Sequence, residues 1–251
     1  MKRSEILFNI MLVMAAIAAI LALAFFYQKT QSVDLREQNE VFDLISELRV
    51  IDNRWDFEVQ RARSDTSGKM EPINPNAGDK ALRTITSIAQ RTTSHVLSAG
   101  LTELRKEIQL KADLVEKFKY ENSNSKEALN VILSNVTELE GLLADRKSPP
   151  VILIQALNRL AATSPQYYMQ AADLQGVNME AAAAQLNTAP EVWRDKIDMI
   201  KLAVQSMRRH RPLEQDLYGQ LEVSTSGPRL VSMALAYNNE LETTFEEKER
   251  Y

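Results

Sequence analysis

Apolar positions recur along most of this chain at intervals of three and four residues, the spacing that puts side chains on one face of a helix. Val41, Leu44, Leu48, Ile51 and Trp55 step by three, four, three and four, and Val59 and Ala62 prolong the stripe. The pattern predicts a helix ending near Arg63, before the segment SDTSGKMEPINPNAG, whose Gly, Pro, Asn and Ser residues are turn chemistry. The clearest pattern starts at Leu101. With Leu101 as heptad position a, the a positions hold Leu101, Ile108, Val115, Asn122, Leu129, Val136 and Leu143. The d positions hold Leu104, Lys111, Phe118, Ser125, Ile132 and Leu139, and the register does not slip. A helix from Leu101 to Lys147 would be about 70 Å long, stopped by Pro149-Pro150.

Other punctuation is sparse: Gly68 to Gly78, Gly100, Pro165, Gly176, Pro190, Pro212 and Gly227-Pro228. Between these marks the pattern predicts helices at 79–99, Val151 to Ala162 and about Gln166 to Gln175, then an alanine-rich piece from Met179 to Leu186. Trp193, Ile197, Ile200, Val204 and Met207 line the next, opened by Pro190 and closed by Pro212. The last follows Gly227-Pro228 and carries Leu230, Ala234, Tyr237, Leu241 and Phe245. No segment has strand periodicity, so the expected fold class is all-α. Each stripe is one-sided, and antiparallel bundles bury such stripes against one another. The long helix can serve two stacked bundles: a membrane-proximal unit, about 29–120 plus 228–251, and a distal unit, about 121–227.

The word proximal rests on the N-terminus. From Ile6 to Tyr27 the chain carries no charge and one amide, Asn9, enough helix to span a hydrocarbon core of roughly 30 Å. Lys2 and Arg3 precede it, and Phe25, Phe26 and Tyr27 form an interfacial aromatic end. Ala22-Leu23-Ala24 has the small-residue form of a cleavage site, but a signal peptide's apolar core is shorter, about 7–15 residues. The expectation is an uncleaved anchor: residues 1–28 form a cytoplasmic tail and transmembrane helix, and residues 29–251 lie in the periplasm at the bacterial inner membrane. Basic residues nearly balance across the span (Lys29 and Arg36 follow it), and the short tail favours this orientation.

Composition narrows the function. The 251 residues include no cysteine, which removes disulfides, thiolate metal sites and cysteine nucleophiles. The two histidines, His95 and His210, have no metal-binding or relay spacing, and a formal charge of −4 argues against nucleic acid as a partner. Carboxylates are spread along solvated faces. The chain is therefore expected not to be an enzyme and to use no cofactor. Asn122 and Ser125 stand out as successive polar core positions at the middle of the long helix. Such a layer either fixes register or marks a polar cavity where two units meet. Lys111 is expected to snorkel to solvent. Arg208-Arg209-His210-Arg211 reads as a basic helix end that complements the macrodipole. Of Tyr167-Tyr168, one ring is expected to face outward or into a cleft.

Two short stretches carry a family resemblance. Val59-Gln60-Arg61-Ala62-Arg63 is followed by Met70-Glu71-Pro72-Ile73, and the long helix contains Phe118-Lys119-Tyr120-Glu121-Asn122. Together they resemble the double all-helical ligand-binding (DAHL) domain, the periplasmic sensor region of VirA-type histidine kinases. The family pattern has an Arg-rich helix end, a Tyr-Asp-Pro turn and a Phe-Lys-x-x-Asn signature. Met70 and Glu71 depart from it, as does Ser125, which stands where an apolar residue is expected. The resemblance would cover roughly Ser32 to Arg250. It implies a sensory module and adds Arg61, Arg63 and Lys119 to Asn122 and Ser125 as candidate ligand or signalling residues. The implied partners are the inner membrane through residues 6–27, a membrane-bound histidine kinase or receptor, a small-molecule ligand and a second copy of the chain. The alternative is a membrane-tethered adaptor or scaffold of an envelope or secretion complex.

Overall fold

The computed structural model describes residues 14–25, 35–64, 76–144 and 150–249. All of its regular structure is helical, with no strand among the described residues. After a helical segment at 14–25 come α1 (Leu35–Ser64), α2 (Ala77–Arg91), α3 (His95–Ala144), α4 (Val151–Gln170) and α5 (Asp173–Gln185). Two 3-10 turns, Leu186–Thr188 and Glu191–Trp193, lead into α6 (Arg194–Glu222), and α7 (Ser226–Glu249) closes the chain.

The heptad register organises the molecule. Helix α3 has 50 residues, about 75 Å of length, and every a and d position named above is buried in it. Its apolar positions divide between two clusters. One joins Val41, Leu48, Trp55 and Val59 of α1 and Ile85 and Ile88 of α2 to the α3 stretch from Leu97 to Phe118, with Leu230 and Tyr237 of α7. The other joins the α3 stretch from Ala128 to Leu143 to Leu157 and Leu160 of α4, Met179 of α5 and Ile197 to Met207 of α6. Helix α6 also reaches the first cluster, through Leu221. Two helices thus run through both cores.

Several boundaries differ from the sequence expectation, each for a local reason. The long helix starts at His95 rather than Leu101, because Ser94 caps it: the Leu97 N–H donates to Ser94 Oγ at 3.1 Å, as a Ser N-cap does. Ser94 Oγ also donates to Glu240, tying the start of α3 to α7. Gly100 is therefore interior, and a Cβ there would press on the Met233 side chain at 3.2 Å. Pro165 and Pro212 do not end helices; both lie inside them. Gly176 lies within α5, where a Cβ would collide with the Arg208 guanidinium. Helix α4 instead stops at Ala171, which takes the left-handed conformation at φ 49, a position where glycine is usual. The last helix begins at Ser226, so Gly227 and Pro228 fall in its first turn, where a proline's missing N–H costs no helix bond.

Part of the expected membrane span, Ile6 to Tyr27, lies outside the described residues. Residues 14–25 are helical and exposed. Among the described residues no helix is long and apolar enough to cross a membrane. The Met70-Glu71-Pro72-Ile73 stretch also lies outside them.

Phe118 is fully buried at the last apolar position of α3 before the division between the clusters. Phe118→Ala is expected to destabilise the protein by about 3–5 kcal/mol, read as a lowered urea midpoint; a loss under 1 kcal/mol would show that the first core is not closed by this ring.

Candidate functional site

Between the two cores lies a layer of buried polar side chains. In α3 the buried residues between Phe118 and Ala128 are Asn122, Ser125 and Lys126. In α6 those between Met207 and Leu221 are Arg211 and Glu214, and α4 brings Tyr168 to them, with the buried Ser164 one turn earlier. The layer is bonded across four helices. Asn122 Nδ2 donates to Glu214 Oε1 at 2.8 Å and lies 3.4 Å from both the Tyr168 hydroxyl and the Ala62 carbonyl near the end of α1. Arg211 forms an ion pair with Glu214, and its guanidinium carbon sits 4.6 Å from the Tyr168 ring centroid. Low local dielectric makes these contacts stronger than they would be in water, and makes any unmet group costly. Unmet groups exist. Ser125 Oγ, Ser164 Oγ, Arg211 Nε and Glu214 Oε2 are buried without a hydrogen-bond partner among the described residues.

The Arg208–Arg211 run feeds this layer and its rim. It is not a helix end, because α6 continues through Pro212 to Glu222, so the macrodipole does not account for it. Its side chains radiate to three helices. Arg208 reaches Glu180 of α5 at 3.0 Å and the Tyr167 hydroxyl of α4 at 3.3 Å. Desolvation opposes its charge, but these bonds outweigh it and raise its pKa. His210 Nδ1 lies 2.6 Å from Glu121 Oε2 of α3. Both Tyr167 and Tyr168 are buried, so neither ring faces outward as expected; each packs beneath an arginine of α6.

A second buried polar group lies in the first core. Lys111 does not snorkel: its side chain is 2% exposed. Asp52 and Asp56, four residues apart on α1, both face it: Lys111 Nζ lies 2.9 Å from Asp52 Oδ1 and 2.8 Å from Asp56 Oδ1. Ser226 Oγ donates to the same Asp52 oxygen at 2.6 Å. The carboxylate therefore faces the first turn of α7, where backbone N–H groups favour negative charge. A Cβ on Gly227 would stand 3.1 Å from Asp52 Oδ2, so glycine allows α7 to dock this closely. An open groove lies alongside, lined by Asp56, Val59, Lys111, Tyr218, Glu222 and Gly227 among others. The Tyr218 phenol is pushed above its ordinary pKa by its hydrogen bond to Glu222 and then by burial, with Arg63 acting in the opposite direction.

The candidates named from sequence divide accordingly. Asn122 and Ser125 are both in the layer. Arg61 is exposed. Arg63 lies 4.0 Å over the Tyr218 ring, beside the groove and not in the layer. Lys119 lines a different groove, with Trp55, Gly78 and Gln109. The link between the two family stretches is the Ala62 carbonyl and Asn122, not the flanking arginines. The sequence reading takes Arg211 only as part of a basic helix end and does not single out Glu214, yet the signal for both is present. They continue the stripe of Ile197, Ile200, Val204 and Met207 in unbroken steps of four and three. Asp52 adjoins its own stripe in the same way, next to Ile51.

These features define a class: an elongated all-helical module with two apolar cores strung on shared helices. No group of residues suited to hold a metal ion occurs among the described residues. A family model for the DAHL domain matches residues 33–251. The chain belongs to the DAHL domain family, which marks it as a helical sensory or ligand-binding module. No curated protein and no solved structure matches it significantly.

Two outcomes follow from the ion pair and the phenol. Lys111→Met leaves Asp52 buried and uncompensated, with an expected loss of about 3–5 kcal/mol; adding Asp52→Leu should restore most of it. Equal urea midpoints for wild type and Lys111→Met would remove the pair from the list of structural supports. For Tyr218, the raised pKa means that the fold favours the neutral phenol. The stability this gives is complete below the ordinary phenol pKa and is lost as pH rises through the raised one. Ultraviolet difference titration against Tyr218→Phe should place Tyr218 above a free tyrosine, and Glu222→Gln should bring it down.

Proposed function

We propose that this chain is a periplasmic sensory module, anchored in the bacterial inner membrane by residues 6–27, that responds to a small ligand and acts through a partner signalling protein. The partner is a membrane-bound histidine kinase or receptor. In this reading the N-terminus is cytoplasmic, the helical domain is outside, and the chain performs no catalysis of its own.

One observation carries the reading. The bonded polar layer at Asn122 separates two apolar cores that share α3 and α6. A scaffold gains nothing from buried polar atoms left without partners, because an apolar layer of similar volume is usually at least as stable. A sensor gains from them, since a ligand can shift an equilibrium only where it binds two arrangements unequally. Packed helices change between discrete arrangements by small shifts, and α3 and α6 extend from the layer into both cores.

Asn122→Leu/Ser125→Leu tests the reading. A thermal-shift screen of small metabolites against the full chain should find a compound that raises the Tm of wild type. The same compound should leave the Tm of the double variant unchanged, while the variant stays folded. An unbroken absence of ligands, with a double variant that still associates with its membrane partner as wild type does, would favour the adaptor reading. An alkaline phosphatase fused after Tyr251 should be active, as it is only outside the cytoplasm; an inactive fusion would overturn the periplasmic placement.

A further inference from the structure

We propose that the polar layer is the hinge of the molecule, about which the distal helices reorient as a unit on the proximal ones. This gives a mechanism to the sensory reading, but the motion itself needs no ligand and is measured separately from it.

Three independent features coincide at this level. The first is the distribution of burial. In α3 no apolar side chain is buried between Phe118 and Ala128, and in α6 none is buried between Met207 and Leu221. Neither cluster of buried residues extends across the gap. Reorienting one unit therefore exposes little apolar surface from either core, whereas shearing within a unit would expose much.

The second is backbone weakness. Pro212 lies inside α6, next to Arg211, in one of the two helices that run through both cores. It removes one helix hydrogen bond, and its ring pushes against the carbonyl four residues earlier, that of Arg208. Sharp helix bends concentrate at such sites. Helix α1 ends at the same level, at Ser64, two residues past the carbonyl that Asn122 contacts. Only α3 crosses with its hydrogen-bond ladder free of proline, and long helices bend smoothly.

The third is the chemistry of the layer. Its bonds are polar and interchangeable. Asn122 faces three acceptors on three helices, more than its two amide hydrogens can satisfy at once. Glu214 Oε1 serves both Asn122 and Arg211 while Oε2 has no partner among the described residues. A small rotation would therefore trade one set of hydrogen bonds for another rather than break a filled set. Apolar interdigitation offers no such exchange.

The sequence contains no cysteine, so spin labels can be introduced in pairs on the full chain without background. Gln90→Cys with Ala184→Cys spans the layer, and Ala184→Cys with Thr137→Cys stays within the distal unit; all three positions are exposed. Double electron–electron resonance should give a broad or two-peaked distance distribution for the spanning pair and a narrow one for the internal pair. Pro212→Ala should narrow the spanning distribution and leave the internal one unchanged. A spanning distribution in wild type as narrow as the internal one would overturn the hinge, whether or not the proline variant folds. So would a broad spanning distribution that the folded Pro212→Ala variant keeps. A rigid junction whose layer still binds a metabolite would leave the sensory reading standing without the hinge.

Discussion

The unbroken heptad register of α3 is the constraint on which the rest of the structure depends. Because every a and d position from Leu101 to Leu143 is buried, the same helical face must meet partners along its whole length. No single helix opposite it is long enough to do so. The chain answers by supplying partners in two sets, α1, α2 and α7 near one end and α4 and α5 near the other, with α6 alongside both. Two cores follow from one stripe. So does a junction, because the sets of partners must change somewhere.

At that junction the register does not relax; it changes chemistry. Asn122 occupies an a position and Ser125 a d position, and the facing helices answer with Tyr168, Arg211 and Glu214 rather than apolar residues. The polar layer costs stability relative to a continuous apolar seam. What it provides is a boundary: each core can pack to full density without being locked to the other. Lys111 shows that a polar residue on the same stripe need not behave this way. Its ion pair with Asp52 lies inside the first core and is tied to the first turn of α7, so it fastens one helix rather than separating two units. Both polar positions lie on one face of one helix, and their partners give them opposite roles.

How much of this could be read beforehand depended on whether the information was periodic. The stripes of α1, α3, α6 and α7 were legible, as was the all-helical class, because burial of a one-sided stripe imposes a spacing that survives in the residues. Asn122 and Ser125 were legible for the same reason, as breaks in a pattern strong enough to make breaks visible. Reading Pro212 as a helix end cuts the stripe short, which hides Glu214 and leaves Arg211 as one of a terminal basic run. A proline says only that one hydrogen bond is missing; whether the helix continues depends on packing around it, and here α3, α4 and α5 all hold α6 through its arginines and histidine. Lys111 reads as solvated in the sequence because its aspartate partner lies 59 residues away.

The sequence by itself determined which residues turn inward and where along α3 the interior becomes polar, since helical periodicity is a local property of the chain. It also carried the family stretches at Arg61–Arg63 and Phe118–Asn122. Only the tertiary structure decided which groups meet. That Asn122 reaches the Ala62 carbonyl and Glu214, and that Arg211 lies against Tyr168, both depend on how antiparallel helices align. Alignment is set by the summed packing of whole faces, and no single segment contains it.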